Sequence, residues 1–211
     1  MDANKNFISI ELNEVNLDWL VFYANKYNFV NTKKLLSWNM ITTKSEKTYS
    51  KLEPWIQWPT YYQGKSFSEH KCFHLGDADL NNNYTIYDHF QNTGGNVFAL
   101  SPMNCSLSTK RDSLFIHDPW SKKGLINGSE DLKSIWKAIC FFVNENSNKS
   151  FKIKYIFTLF FGLMKFARFK NYLIYLKLLF LSLFFKWARA IFLDLFLFDI
   201  YSSLVNSKKY K

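Results

Sequence analysis

Three polar side chains near the amino terminus have the types and spacing of a ligand-binding turn. The apolar stretch Phe7–Leu12 predicts a strand, and Leu17–Tyr27 has the spacing of a helix. Glu11, Asn13 and Glu14 lie where that strand ends and in the turn after it. In α/β proteins, ligands bind at the carboxyl ends of strands, which singles out these three residues. The alternative is a solvated turn, for which asparagine is equally suited.

Histidine, cysteine and aspartate form two further candidate groups. His70 and His74 flank Cys72, and strand alternation would place all three on one face. Zinc sites usually draw ligands from two separate turns, so buried structural histidines are the favoured interpretation. His117 and Asp118 end a predicted strand, where they could act chemically. Because Asp118 precedes a proline, a turn or helix cap is the first interpretation.

The elements between these residues alternate as in an α/β protein. Thr85–Gln91 predicts a helix ended by glycine, and Glu130–Phe142 predicts an amphipathic helix. Asn96–Leu100 and Ser113–Ile116 predict buried strands, each followed by a polar loop. Leu52–Tyr62 carries two prolines and is not predicted to be a regular helix throughout. The predicted fold class is therefore α/β, with helices flanking a mostly parallel sheet.

Charge and hydropathy divide the chain after the polar stretch Asn144–Ser150. Residues 1–150 have a net charge of +1, whereas residues 151–211 carry +9 of the total of +10 and are rich in Leu and Phe. We predict an α/β domain over 1–150 and a basic, apolar helical region over 151–211. Because the basic residues are embedded in apolar runs, nucleic acid is not an expected partner.

Membrane contact through residues 151–205 is a possible role of this region. The charge-free run Tyr155–Met164 is ten residues long, against the roughly 18–20 needed to span a bilayer. Tyr172–Phe185 is longer but contains Lys177, so both a spanning helix and a core-facing or membrane-surface helical hairpin stay open. No signal peptide is recognised, and the three scattered cysteines favour a reducing, cytoplasmic location.

Several segments, in order, resemble the alkaline phosphatase superfamily near its type I phosphodiesterase/nucleotide pyrophosphatase branch. These segments are Ile10–Asp18, Leu52–Trp58 (LEPWIQW), Gly64-Lys65, Glu69-His70, Leu75–Asp77 (LGD), Ser101–Asn104 (SPMN), Asp118–Trp120 (DPW) and Trp187–Leu204. LEPWIQW is the most specific of them. The resemblance implies a mostly parallel sheet flanked by helices. It also implies hydrolysis or transfer at phosphate or sulfate esters, assisted by two divalent metals, typically zinc.

The matching positions also depart from the family's pattern. Asn13 stands where the family has its first metal-binding Asp, and Glu14 lies beside it, so both are the candidate metal ligands. The family's Thr or Ser nucleophile falls near Glu53 or Pro54, and neither is a hydroxyl. Glu53 is the candidate catalytic residue, and its alternative role is a surface ion pair.

The resemblance covers only the first part of such an enzyme, because members of the superfamily are usually about twice as long. Most of their metal ligands, including an Asp-His pair on a late strand, lie beyond the matching region. The sequence therefore predicts the N-terminal part of a metal-dependent hydrolase, inactive alone and completed by a missing or separately encoded C-terminal half. The alternative function is a membrane-associated, non-enzymatic protein anchored by residues 151–205.

Overall fold

A computed structural model describes residues 8–13, 15–44, 46–78, 83–107, 113–121, 127–145 and 152–206. Most of these residues are helical. The helices are α1 (Leu17–Lys26), α2 (Val30–Leu36), α3 (Pro54–Gln63), α4 (Phe67–His70), α5 (Ile86–Asn92), α6 (Glu130–Asn144), α7 (Ile153–Phe166), α8 (Tyr172–Ser182) and α9 (Lys186–Asn206). The strands are β1 (Phe98–Leu100) and β2 (Leu114–Ile116), and short 3₁₀ turns lie at Tyr49–Lys51 and Phe169–Asn171.

Local capping signals place the helix starts where the sequence predicts them. The Asn16 side chain accepts a hydrogen bond from the Trp19 amide at the start of α1. Thr85 and Asp88 form a reciprocal capping box at the start of α5. The predicted helices at these positions, and the predicted helix that became α6, are confirmed.

The predicted strand Phe7–Leu12 is wrong over its described residues, 8–12, which have no strand conformation; Phe7 lies outside the described chain. A strand is stabilised by a neighbour that accepts its backbone hydrogen bonds, and no described strand pairs with this segment. Its apolar side chains are correspondingly open, with Ile8 72% and Ile10 67% exposed. High β propensity alone therefore did not produce a strand.

As predicted, Leu52–Tyr62 is not helical throughout, because Leu52 and Glu53 precede α3, which spans Pro54–Gln63. Pro54 occupies the first turn, where its missing N–H costs nothing. Pro59 lies inside the helix, where it cannot donate to the carbonyl four residues earlier, that of Trp55. A tertiary contact described below supplies the partner that this carbonyl lacks.

The two strands are parallel, with Phe98 opposite Leu114 and Leu100 opposite Ile116. All three residues of β2 are buried, as expected for a parallel strand covered on both faces. Within the described residues the sheet has two strands, so the α/β class holds in this reduced form. The larger, mostly parallel sheet stays a prediction.

One hydrophobic core crosses the predicted domain boundary at residue 150. It joins β2 and α6 with α7, α8 and α9, and its buried members include Leu114, Trp136, Phe166, Tyr175 and Phe196. The helices of the basic region therefore share one core with β2 and α6.

The apolar run Tyr172–Phe185 is interrupted rather than continuous. Helix α8 ends at Ser182 and α9 begins at Lys186. Among the described helices, none combines the length and the hydropathy that crossing a bilayer requires.

Candidate functional site

The loop after β1 places one asparagine at the meeting point of several segments. Asn104 is 1% exposed, and its Nδ2 donates to the Trp55 carbonyl at 2.7 Å and to the His74 carbonyl at 3.0 Å. Its Oδ1 accepts from the Gly76 amide at 2.9 Å and the Ala78 amide at 3.4 Å. A single buried amide thus satisfies four backbone groups from two separate segments.

Pro59 explains why Asn104 bonds to α3 at this point. In a regular helix the N–H of residue 59 would donate to the carbonyl of residue 55. Proline has no N–H, so the Trp55 carbonyl is free to accept from outside the helix, and Asn104 provides the donor. Asn104 itself has φ 49°, a left-handed conformation that asparagine tolerates better than most residues.

Asp118 follows β2 and links its loop to Asn104. Its side chain is fully buried, and one oxygen accepts from the Asn104 amide at 2.9 Å and the Ser121 hydroxyl at 2.7 Å. The other oxygen accepts from the Trp120 amide at 3.0 Å and the Ser121 amide at 2.9 Å. Four donors occupy the roughly four acceptor positions of a carboxylate. Asp118 therefore organises the turn, as its sequence position predicts, and is not available as a base.

The two ring nitrogens of His117 have different roles. Its Nδ1 lies 2.5 Å from the Asp118 backbone carbonyl oxygen. A carbonyl oxygen only accepts, so Nδ1 carries the hydrogen and Nε2 holds the lone pair. Burial lowers the pKa of His117, which favours the neutral ring. The side chain is thus in the form that could accept a hydrogen bond or a proton through Nε2.

The H-x-C-x-H group is structural rather than strand-like. His70 ends α4, and Lys71 has φ 58°, so the alternation of a strand is absent. The Nδ1 of His70 accepts from the Cys72 amide at 3.0 Å, which leaves Nε2–H to donate to the Thr60 hydroxyl at 3.0 Å. His70 is 1% exposed whereas His74 is exposed, so the two rings do not share one environment.

The two buried histidines predict that the chain loses stability in mild acid. Burial lowers the pKa of both His70 and His117, so below about pH 6.5 the unfolded state binds protons that the folded state does not. We expect the free energy of unfolding in urea to fall by up to about 1.4 kcal/mol per pH unit for each histidine as the pH drops below 6.5.

The control for this pH dependence is His89, which is exposed on α5. His117→Asn and His70→Gln each replace a titrating ring by an amide that keeps one hydrogen-bonding nitrogen. Each should reduce the slope of the free energy of unfolding against pH between about pH 7.5 and 5.5. His89→Gln should leave the slope as it is. An equal slope in all of the variants would contradict this explanation.

The predicted amino-terminal turn lies against α3. The Glu11 carboxylate accepts from the Tyr62 hydroxyl at 2.5 Å and from the Tyr87 hydroxyl at 3.0 Å. The Asn13 Oδ1 accepts from the Trp58 indole N–H at 3.1 Å. Burial and the neighbouring Glu11 charge raise the pKa of both tyrosines, so their hydroxyls stay protonated as donors. Glu11 and Asn13 thus dock one helical turn apart on α3.

Glu53 is not joined to this turn by any described contact. Glu53 directly precedes α3, is exposed, and makes no side-chain capping hydrogen bond. Glu14 lies outside the described residues. Among the residues that are described, no three His, Cys, Asp or Glu side chains form a group that could hold a metal ion. In the described part of this turn, the Glu11 and Asn13 oxygens accept hydrogen bonds from side chains of α3 and α5.

Neither a protein-family model, nor a curated protein, nor a solved structure matches this chain. Its interpretation therefore rests on its own contacts. The sequence singled out Asn13, Glu14 and Glu53, but it missed the buried Asn104, which enters there only as the end of SPMN. A local signal did exist, because a proline four residues after Trp55 indicates a helical carbonyl that needs another donor.

Proposed function

We propose that this chain is the N-terminal part of a metal-dependent phosphoester or sulfoester hydrolase, and that its described residues form the scaffold of the active site. In this proposal the missing ligands come from a C-terminal half. The chain alone is inactive in this proposal, because most of the family's metal ligands lie beyond the matching region. The metals would supply Lewis-acid chemistry in the completed protein.

One observation supports this proposal above all: the segments that carry the resemblance contact one another. Asn13 of the first segment bonds to Trp58 of LEPWIQW. Asn104 of SPMN bonds to Trp55 of LEPWIQW and to Gly76 of LGD. These residues are far apart in the sequence, so their convergence requires the tertiary structure and favours a shared purpose.

The bond between Asn104 and Asp118 adds the DPW segment to the same network. Both residues lie in loops that follow parallel strands, and ligands of α/β proteins bind beside such loops. The role that this geometry supports is positioning. Asn104 holds α3 and the loop containing His74 in place, so that groups on α3 keep a constant relation to the strand ends.

The test is to co-express the 211-residue chain with the polypeptide encoded directly downstream and to measure bound zinc and hydrolysis of p-nitrophenyl esters of phosphate and sulfate. We expect the pair to co-purify, to retain zinc and to hydrolyse a phosphate or sulfate ester. Glu14→Gln should weaken zinc binding at least tenfold, because it removes a charged ligand. Glu53→Gln should lower kcat with zinc content unchanged.

Glu130→Gln is the matched control, since Glu130 is an exposed carboxylate outside the resembling segments. It should change neither zinc binding nor hydrolysis. The proposal would be overturned by metal-dependent hydrolysis by the chain alone or by a downstream region that encodes no Asp- and His-rich segments. The proposal would also be overturned if neither Glu14→Gln nor Glu53→Gln changed zinc binding or activity.

A further inference from the structure

Helix α7 presents a continuous apolar stripe on its outer side. Ile153, Phe157, Phe160 and Met164 recur at helical spacing and are 65%, 66%, 62% and 61% exposed. The inner side of the same helix packs into the core through Gly162 and Phe166. At Gly162 an added methyl group would lie 3.1 Å from the Phe196 ring, so this side is already closely packed. The outer stripe therefore has no share in the core.

Helix α8 repeats this arrangement. Tyr175 and Leu178 are its buried residues and face the core. Its outer side carries Leu173, Leu176 and Phe180, which are 80%, 65% and 63% exposed. Leu183, the first residue after the helix, continues this stripe and is 72% exposed. Soluble monomers rarely leave contiguous apolar surface of this kind in water, which indicates an interaction surface.

Basic side chains accompany both stripes. Lys154 lies beside the α7 stripe, Lys177 lies within the α8 stripe, and Lys170 lies between the two helices; all three are exposed. Over residues 152–206 there are eight Lys and Arg against two Asp. One of those two, Asp199, is buried and already paired with Arg168. The exposed surface of this region is therefore strongly positive.

Together, the exposed apolar side chains and the positive charge favour one class of partner. The cores of protein–protein interfaces are depleted in lysine, because its charge must be desolvated there. At a bilayer surface the same side chain lays its methylene stem along the apolar layer and keeps its ammonium group among the headgroups. Exposed Phe and Leu insert at the boundary between headgroups and acyl chains, while lysine attracts anionic lipid.

We propose that the exposed stripes of α7 and α8 dock on the surface of an anionic lipid bilayer. The helices lie in the interface, with their inner sides still packed on α6 and α9. This inference uses only residues 152–206 and stands apart from the hydrolase proposal.

Co-sedimentation of the full chain with vesicles tests this proposal. Vesicles of phosphatidylglycerol and phosphatidylcholine at about 1:1 should bind the chain at least tenfold more tightly than pure phosphatidylcholine, and added salt should weaken binding. Phe157→Glu/Phe160→Glu and Leu173→Glu/Phe180→Glu should each reduce binding at least tenfold. Lys177→Gln should reduce it by roughly fivefold, the loss of about one headgroup attraction.

The matched control is Trp38→Glu/Ile41→Glu, because these residues are 62% and 88% exposed but lie outside the helical region. This variant should bind vesicles like the unchanged chain. Circular dichroism should show that all variants keep their helices, since every substituted side chain is exposed. The proposal is overturned if neither stripe variant binds less than the control, or if neutral vesicles bind equally well. If the unchanged chain sediments without vesicles, and either stripe variant no longer does so, the surface would instead be assigned to self-association.

Discussion

Replacing Asn104 by alanine is expected to lower the free energy of unfolding by about 4 kcal/mol. The substitution removes both donors and the acceptor that satisfy the backbone of Trp55, His74, Gly76 and Ala78. Each buried group left without a partner costs about 1–3 kcal/mol, and alanine adds roughly 1 kcal/mol at a φ of 49°. Urea unfolding followed by tryptophan fluorescence and circular dichroism measures the change.

Two further substitutions at the same position separate the hydrogen bonds from the backbone conformation. Asn104→Gly accepts the positive φ but still removes the side chain, so it should recover only about 1 kcal/mol of the loss. Asn104→Asp keeps an acceptor for Gly76 but turns a second oxygen toward two carbonyl oxygens, so it should be at least as unstable as the alanine variant. Asn31→Ala, at an exposed position of α2, should change stability by less than about 0.5 kcal/mol. Full recovery in the glycine variant would show that the hydrogen bonds contribute little.

Replacing Asp199 by alanine should destabilise the helical region by about 3–5 kcal/mol. Its buried carboxylate accepts from the Arg168 amide at 2.9 Å, the Arg168 Nε at 2.7 Å, the Asn171 amide at 2.9 Å and the Tyr175 hydroxyl at 3.0 Å. Arg168 and Asn171 lie between α7 and α8, and Tyr175 lies in α8, so Asp199 joins this connection and α8 to α9. Without the carboxylate, a partly buried guanidinium and two other polar groups lose their partner.

Asp194→Asn is the control for this prediction, because Asp194 is exposed on the same helix. We expect it to change stability by less than about 0.5 kcal/mol. The two variants can be compared in urea at neutral pH, with loss of helical circular dichroism as the readout. Similar unfolding midpoints for Asp199→Ala and Asp194→Asn would contradict the assigned role.

Acid should remove the contribution of Asp199 as well. Burial alone would raise the pKa of Asp199, but hydrogen bonds from the Arg168 backbone, Asn171, the Arg168 side chain and Tyr175 outweigh it, so the pKa lies below the ordinary value of 3.8. A lowered carboxyl pKa stabilises the folded state above that ordinary value. This stabilisation is lost as the pH falls through the folded-state pKa, in a range more acidic than the histidine effect.

Elements whose signals are local could be predicted from the sequence. Asn16 and the pair Thr85 and Asp88 are capping residues that act within one turn, so α1 and α5 begin where expected. The two strands were predictable because short runs of buried apolar residues sit between turn residues. Asp118 was likewise expected to form a turn, since a short carboxylate bonds to amides two and three residues onward.

The candidate site was predictable only in outline. Glu11 and Asn13 were singled out at the carboxyl end of a predicted strand and in the turn after it. No strand forms there, and the two side chains are hydrogen-bonded to α3 and α5. Glu53 was singled out from a matching position, and no described contact joins it to them. A propensity or a motif position says nothing about which distant group is present as a partner, so these contacts could not be predicted.

The sequence by itself determined the helices with local caps, the pair of short strands and the concentration of positive charge and apolar residues after position 150. Only the tertiary structure decided that Asn104 completes the hydrogen bonding of a proline-containing helix. It likewise decided that Asp199 on α9 bonds to the connection between α7 and α8. It also decided which apolar side chains of α7 and α8 face outward. The physical reason is range: caps and periodicity act over a few residues, whereas the partners of Asn104 and Asp199 come from segments distant in sequence.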